Sequence, residues 1–201
     1  MIFAFFRHGS NTVLAIAIVA LIAAFVARDV AFVPLAAIGG AVVFFITEYT
    51  THRFAFHAKP STIGWVLKLQ HRLHYDHHVD PPKLELLFLP LWFVIPISAL
   101  YYLVALAVLR DPIAATSFMF GAIVALTYYE WVHFVAHVSI TPVTPFGRYV
   151  KKYHLWHHFK NERYWYGVTN PSMDFVGATY RDVDGVERST TVREIWRGMD
   201  P

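Results

Sequence analysis

The stretch "IAATSFMFGAIVALTYYEWVHFVAH", residues 113–137, joins a long apolar segment to two histidines. Its first part carries a single charged residue, Glu130. A bilayer core of about 30 Å is crossed by about 20 helical residues. The stretch therefore predicts a membrane-spanning helix. His133 and His137 come at its end, four residues apart and on one helical face.

The composition of the whole chain agrees with an integral membrane protein. Its 201 residues are 56% hydrophobic and only 15% charged, whereas a soluble domain is about half apolar and about a quarter charged. The length predicts one membrane-embedded domain over residues 1–201. The net charge of +3 is modest, and we expect no nucleic-acid partner. The chain has no cysteine, so any metal must be held by His, Asp or Glu.

Three more apolar segments lie before residues 113–137 in the sequence. The predicted fold is therefore an all-α protein with four transmembrane helices. The four predicted spans cover about residues 11–28, 30–50, 86–109 and 113–133. Pro90 and Pro96 are expected to bend the third span. Residues 51–85 and 134–201 are expected to form a helical cap outside the bilayer.

The distribution of basic residues predicts the orientation of this multi-pass protein. Of the 17 Lys and Arg residues, only Arg28 and Arg110 lie on the short turns within each pair of spans. The others lie on the side of the cap, which the positive-inside rule assigns to the cytoplasm. Every histidine except His8 lies at or beyond the same ends of the spans. We therefore predict an active site at the cytoplasmic face.

Four histidine clusters have the spacing of metal ligands: "HRFAFH" at 52–57, "HYDHH" at 74–78, "HFVAH" at 133–137 and "HLWHH" at 154–158. On an α-helix, positions i, i+3 and i+4 lie within about 100° of arc. We therefore expect the three rings of each "HxxHH" stretch to point the same way. The i, i+5 pair of the first cluster needs a helix end, a π or 3₁₀ turn, or two different metals.

The clusters supply ten candidate ligands, which are too many for one ion and suit two ions with about five each. Imidazole favours Zn, Cu, Fe and Ni over Mg or Ca. The candidates are His52, His57, His74, His77, His78, His133, His137, His154, His157 and His158.

Other polar side chains are candidates to support these ligands, because a metal-bound histidine usually donates its second ring N–H to a carboxylate or carbonyl. Asp76 points partly away from its neighbouring histidines and is a weaker candidate than Glu130, one turn before His133. We expect His71 to support the site rather than to act as an eleventh ligand. The full set of candidates is His71, Glu48, Asp76, Glu130 and Asp174.

In this order and between these spans, the clusters resemble those of the fatty acid hydroxylase superfamily of membrane histidine-box oxygenases. Locally they are most similar to the fatty acid and sphingolipid 2-hydroxylases. The four boxes are "EYTTHRFAFH" at 48–57, "HYDHHVDPP" at 74–82, "YYEWVHFVAH" at 128–137 and "KKYHLWHHF" at 151–159. "YGVTNPSMDFVGATY" at 166–180 is similar to the segment that closes the family's catalytic domain.

The resemblance implies that the same ten histidines hold two iron ions, with zinc an alternative in isolated protein, and that O₂ is the co-substrate. It also implies a lipid substrate in the bilayer, hydroxylated at carbon 2 of a fatty acyl chain that is free or part of a sphingolipid or other membrane lipid. Many family members carry an N-terminal cytochrome b5 domain, which we do not find in this sequence. We therefore expect electrons from a separate cytochrome b5-like or ferredoxin-like protein.

Two alternatives remain open. A carotenoid or sterol-type hydroxylase or desaturase of the same superfamily would use the same histidine boxes. A metal-binding membrane transporter belongs to a different class, but transport sites usually lie near the bilayer midplane. The position of the histidines at one end of the spans disfavours transport.

Overall fold

The computed structural model describes residues 2–198, and this part of the chain consists of helices and connecting loops. Two π-helical turns, His52–Phe56 and His71–Tyr75, directly follow the α-helices that end at Thr51 and Gln70. Short 3₁₀ turns occur at Val183–Gly185 and Ile195–Gly198. The α-helices are α1 Ile2–Phe6, α2 Gly9–Ala27, α3 Pro34–Thr51, α4 Gly64–Gln70, α5 Asp76–Val79, α6 Leu84–Leu87, α7 Leu91–Leu109, α8 Pro112–His137, α9 Pro145–Phe159 and α10 Ser172–Val176.

Four helical segments are long and apolar enough to cross a membrane: Gly9–Ala27, Pro34–Phe56, Leu84–Leu109 and Pro112–His137. They confirm the predicted class, an all-α protein with four candidate transmembrane helices. Helices α3 and α8 both begin with proline, which is favoured in the first turn because its missing N–H would have no helical partner there.

The third segment is interrupted at one of its two prolines. Phe88 and Pro90 have extended backbone conformations, and they separate the short helix α6 from α7. Pro96, in contrast, lies inside α7, which continues to Leu109. Of the two prolines expected to bend the third span, Pro90 lies at a break between helices, and Pro96 lies within a continuous helix.

The described residues form two compact units, and the first comprises residues 2–45 and 89–130. Its core contains Leu14 of α2, Val94 of α7 and Ile123 of α8, all buried. The outward faces of these helices carry exposed large apolar side chains, which include Val19, Leu103 and others. Such a surface is the one expected of helices that face lipid.

Helices α3 and α8 approach each other closely in this unit because each contributes a glycine. A methyl group on Gly40 would lie 1.9 Å from the carbonyl oxygen of Phe118, and one on Gly121 would lie 1.8 Å from that of Ala37. Small residues allow two helix backbones to approach closely. In lipid, where no hydrophobic effect drives helices together, the van der Waals packing of such close contacts stabilises their association.

The second unit comprises residues 46–88 and 131–198, and it contains all ten candidate ligands. Within it, the ammonium group of Lys151 on α9 donates hydrogen bonds to the carbonyl oxygens of Val135, Val138 and Ile140, at 2.7–2.8 Å. These carbonyls lie in the last turn of α8 or just beyond it, where helical partners are missing. Lys151 therefore fastens α9 to the end of α8 that carries the histidines.

Candidate metal centre

The ten candidate histidines form two groups of five. In each group, one ring nitrogen per residue lies within 4.8 Å of those of the other four. His137 is partly buried, and the other nine are buried. The first group is His52, His57, His74, His78 and His157, and the second group is His77, His133, His137, His154 and His158.

Both "HxxHH" stretches are divided between the groups. His74 belongs to the first group and His77 to the second; His154 belongs to the second and His157 to the first. In each stretch, the last histidine belongs to the same group as the histidine four residues before it. The prediction that all three rings point the same way is therefore wrong. The i+4 residue lies about 40° from residue i on one side and the i+3 residue about 60° on the other, which is enough to aim them at different points.

The i, i+5 pair of the first cluster is brought together by a π turn. The backbone N–H of His57 donates to the carbonyl oxygen of His52 at 3.1 Å, which is the i→i+5 bond of a π-helix. Both rings consequently belong to the first group. This turn is one of the solutions that the spacing leaves open.

The Nε2 atoms of the first group converge around His74. Its Nε2 lies 3.2 Å from that of His52, 2.9 Å from that of His57 and 3.0 Å from that of His78. The Nε2 of His157 lies 3.0 Å from that of His57. The second group shows the same convergence.

In the second group, the Nε2 atoms of His133 and His77 are 3.0 Å apart, as are those of His137 and His154. The two groups are neighbours in the second unit. The rings of His78 and His158 stack with centroids 4.1 Å apart. The arrangement is therefore one cluster with two adjacent centres.

Backbone carbonyls fix the orientation of two rings in the first group. The Nδ1–H of His157 donates to the carbonyl oxygen of Tyr164 at 2.8 Å, and that of His52 donates to the carbonyl oxygen of Tyr166. A carbonyl can only accept, so the proton sits on Nδ1 and the lone pair of Nε2 points inward. This is the tautomer that coordination through Nε2 needs.

A third ring of the first group is oriented by the C-terminal segment. His78 Nδ1 donates to the carbonyl oxygen of Val192 at 3.0 Å. The guanidinium of Arg193 donates to the carbonyl oxygen of Val79 and lies over the ring of Phe159. Residues near 192 are thus part of the site, although no sequence motif marks them.

The observed nitrogen separations fit metal coordination. Metal–nitrogen bonds are about 2.0–2.1 Å long, so neighbouring donors about 3.0 Å apart subtend about 90–100° at the ion, whereas tetrahedral donors would be about 3.4 Å apart. Inward lone pairs at this distance repel one another, and a cation between them removes that repulsion. A group of five neutral nitrogen donors suits a five-coordinate transition-metal ion.

Burial keeps these imidazoles in the neutral form that binds metals. Outside the spans, desolvation and then the neighbouring histidines lower the pKa of His74, His154 and His157 well below the ordinary value. Desolvation lowers the pKa of His78 to about 3. Near neutral pH, all four rings therefore carry a free lone pair.

Glu48 holds the loop that presents the carbonyls. Its buried carboxylate accepts hydrogen bonds from the backbone N–H groups of Val168 and Thr169, at 2.7 and 2.9 Å, and from the Thr169 hydroxyl at 2.6 Å. The hydrogen bonds of Glu48 thus go to the loop after Tyr166. Its support of the histidines is indirect.

Asp174 holds the same loop from its other side. Its carboxylate accepts hydrogen bonds from the N–H groups of Tyr166 and Gly167, at 2.8 and 2.7 Å, and from the hydroxyl of Thr179. Burial raises the pKa of Asp174. The loop that orients His52 is therefore anchored by two buried carboxyl groups.

The other three supporting candidates occupy different positions. His71 lies outside both groups, and its Nδ1 pairs with Asp76 at 2.8 Å near the surface. The ring of His71 packs against Trp196 with centroids 5.2 Å apart. In the first unit, Glu130 accepts a hydrogen bond from the backbone N–H of Leu89 at 3.1 Å.

Four candidate membrane-spanning helices and ten histidines in two adjacent groups, nine of them buried, define an integral membrane protein with a histidine-rich centre compatible with metal. A model of the fatty acid hydroxylase family matches residues 37–179. The chain belongs to this family, as its histidine boxes predict.

Several curated proteins and one solved structure are similar to this chain. It is 33% identical over 70% of its length to a dihydroceramide fatty acyl 2-hydroxylase of Arabidopsis thaliana. It is 37% identical over 72% of its length to a ceramide very long chain fatty acid hydroxylase of Saccharomyces cerevisiae. A structure described as full-length scs7p, with only the hydroxylase domain visible, superposes with a TM-score of 0.70 and 31% identity over 77% of this chain.

These relatives are longer than the matched region. The chain spans 58% of the plant protein, 38% of the yeast protein and 58% of the chain in the solved structure. The comparisons therefore support the hydroxylase fold and family.

Proposed function

We propose that the chain is an O₂-dependent di-iron lipid hydroxylase that acts at carbon 2 of a fatty acyl chain, either free or within a sphingolipid or other membrane lipid. The observation that carries this proposal is the pair of adjacent five-histidine groups. The relatives named as 2-hydroxylases support the position of the hydroxyl group.

Each histidine group is proposed to hold one ion. His52 and His157 would present Nε2 to one ion because backbone carbonyls hold their Nδ1–H groups. When bound, iron supplies the activation of O₂ that side chains cannot provide. Zinc would fill the same nitrogen donors without redox chemistry, so isolated protein could hold it in an inactive form.

The reaction balances as one C–H bond, one O₂, two electrons and two protons giving one C–OH group and one water. The chain has no cysteine, so it has no dithiol of its own to provide the electrons. We assign their delivery to a cytochrome b5-like or ferredoxin-like donor protein. Nine of the ten histidines are buried, which limits the access of bulk water to the proposed centre.

The location of the histidines supports a lipid substrate and an active site at the cytoplasmic face. His133 and His137 lie at the end of one candidate span and His52 near the end of another. An acyl carboxyl group or headgroup would stay at the membrane surface. Carbon 2, adjacent to the carbonyl carbon, would then lie close to the same surface.

Expression under ¹⁸O₂ in a host that lacks 2-hydroxy lipids tests the proposed reaction. Mass spectrometry should show 2-hydroxy acyl chains carrying one ¹⁸O atom. The label should disappear in His157→Ala and persist in His71→Ala, because His71 lies outside both groups. Absence of labelled acyl chains in an iron-loaded, donor-supplied wild type would refute the assignment.

Other products would point to the remaining alternatives. A new double bond in the acyl chain would place the protein among the desaturases. A hydroxylated carotenoid or sterol with unchanged acyl chains would retain the metal site and overturn the substrate. Metal uptake by intact cells without any oxidised lipid would favour transport.

A further inference from the structure

Trp165 has an unusual backbone conformation for a large residue. Its φ is 60°, and its side chain is 0% exposed. The left-handed region is favoured by glycine and disfavoured for residues with a Cβ. A buried tryptophan in this region must be held there by its surroundings.

The two carbonyls that orient rings of the first group flank Trp165 directly. Tyr164 accepts from His157 and Tyr166 accepts from His52. The centroids of these two rings are only 4.7 Å apart. An extended chain would separate carbonyl oxygens two residues apart by about 6.6 Å. The chain changes direction at Trp165. The carbonyl groups on either side of it can therefore accept hydrogen bonds from two adjacent imidazole rings.

Several contacts hold Trp165 in place. Its indole N–H donates to the carbonyl oxygen of Arg181 at 2.9 Å, and its backbone N–H donates to that of Thr179 at 3.2 Å. The indole also packs against Trp156, with ring centroids 5.7 Å apart. One of these contacts comes from the backbone of Trp165 and two come from its indole, and together they hold the change of chain direction in place.

We propose that Trp165 is a positioning residue for the first group: its left-handed backbone directs the Tyr164 and Tyr166 carbonyls onto His157 and His52. It would thereby control occupancy of one of the two metal positions. This inference rests on the proposed metal centre. It assigns a role to a residue that is neither a ligand nor part of a histidine box.

Substitution of Trp165 by glycine and by valine separates backbone geometry from indole packing. Both variants lose the indole, but glycine adopts positive φ without strain, whereas a β-branched residue does not. We expect Trp165→Gly to keep about two ions per chain and Trp165→Val to keep about one, as measured by elemental analysis. Trp65→Val, at a tryptophan that is 67% exposed, serves as the control and should keep both.

The second group reports whether the variants are folded. The double variant Trp165→Val, His158→Ala should hold no ion, because it also lacks a donor of the second group. The double variant Trp165→Val, His157→Ala should hold about one ion, like Trp165→Val alone. Equal or greater metal loss in the glycine variant, full metal content in the valine variant, or loss of both ions in both variants would overturn the inference. A wild type that binds no metal would instead overturn the proposed function, so the two failures are distinguishable.

Discussion

At the scale of single residues, neighbours in the sequence serve different centres. His157 and His158 are consecutive, yet they belong to the first and second groups respectively. Successive helical residues point about 100° apart, so an "HH" pair is suited to bridge two adjacent sites. His77 and His78 are also consecutive, and they belong to the second and first groups respectively.

This division predicts selective metal loss. His157→Ala and His158→Ala should each retain about one of two ions, because each removes a donor from one group only. The double variant should retain neither. Elemental analysis of purified protein after iron-replete expression measures the outcome.

The matched control is His71→Ala, which removes a histidine outside both groups and should leave both ions in place. If either single ligand variant lost both ions while the protein remained folded, the two groups would not be independent centres.

At the scale of helices, α3 and α8 combine two tasks. Each supplies an apolar segment that can span a membrane, and each leads into histidines of the centre. Their middle parts pack through Gly40 and Gly121. Within the first unit, the two helices are therefore held in close contact.

Gly40→Ala should destabilise the protein by about 1–3 kcal/mol, because its methyl group would overlap a backbone carbonyl that cannot move independently. Thermal unfolding in detergent should show a lower midpoint. The neighbouring Gly39→Ala is the control, since its new methyl group would meet only a side chain at 3.9 Å. Equal midpoints for the two variants would contradict the close α3–α8 contact.

At the scale of the whole molecule, the four candidate spans lead to a prediction about which loops share a side of the membrane. If all four cross the bilayer, residues 2–8, 57–83 and 138–198 share one side, and the short turns at Arg28 and Arg110 share the other. The positive-inside rule predicts that the first side is cytoplasmic.

Single cysteines introduced into this cysteine-free chain test the orientation. Lys68→Cys and Arg188→Cys should react with an impermeant maleimide only after the cytoplasmic side is opened. Asp29→Cys and Arg110→Cys should react from the opposite side. Labelling of positions 68 and 188 from different sides would exclude a shared site built from both regions.

The sequence by itself determined the features that depend on local composition and spacing. Runs of apolar residues predicted four spans because a bilayer requires about 20 consecutive apolar residues. Histidine spacing identified ten candidate ligands and left a π turn open as one way to join His52 with His57. The boxes also identified the family.

Only the tertiary structure decided how the histidines divide and what orients them. His52 meets the carbonyl of Tyr166, and His78 meets that of Val192, each across 114 positions of sequence. Backbone carbonyls are present in every residue, so no residue type marks these partners. Glu48 and Asp174 likewise act on a loop rather than on a ring, because the direction of a buried carboxylate depends on contacts made only when distant segments pack together.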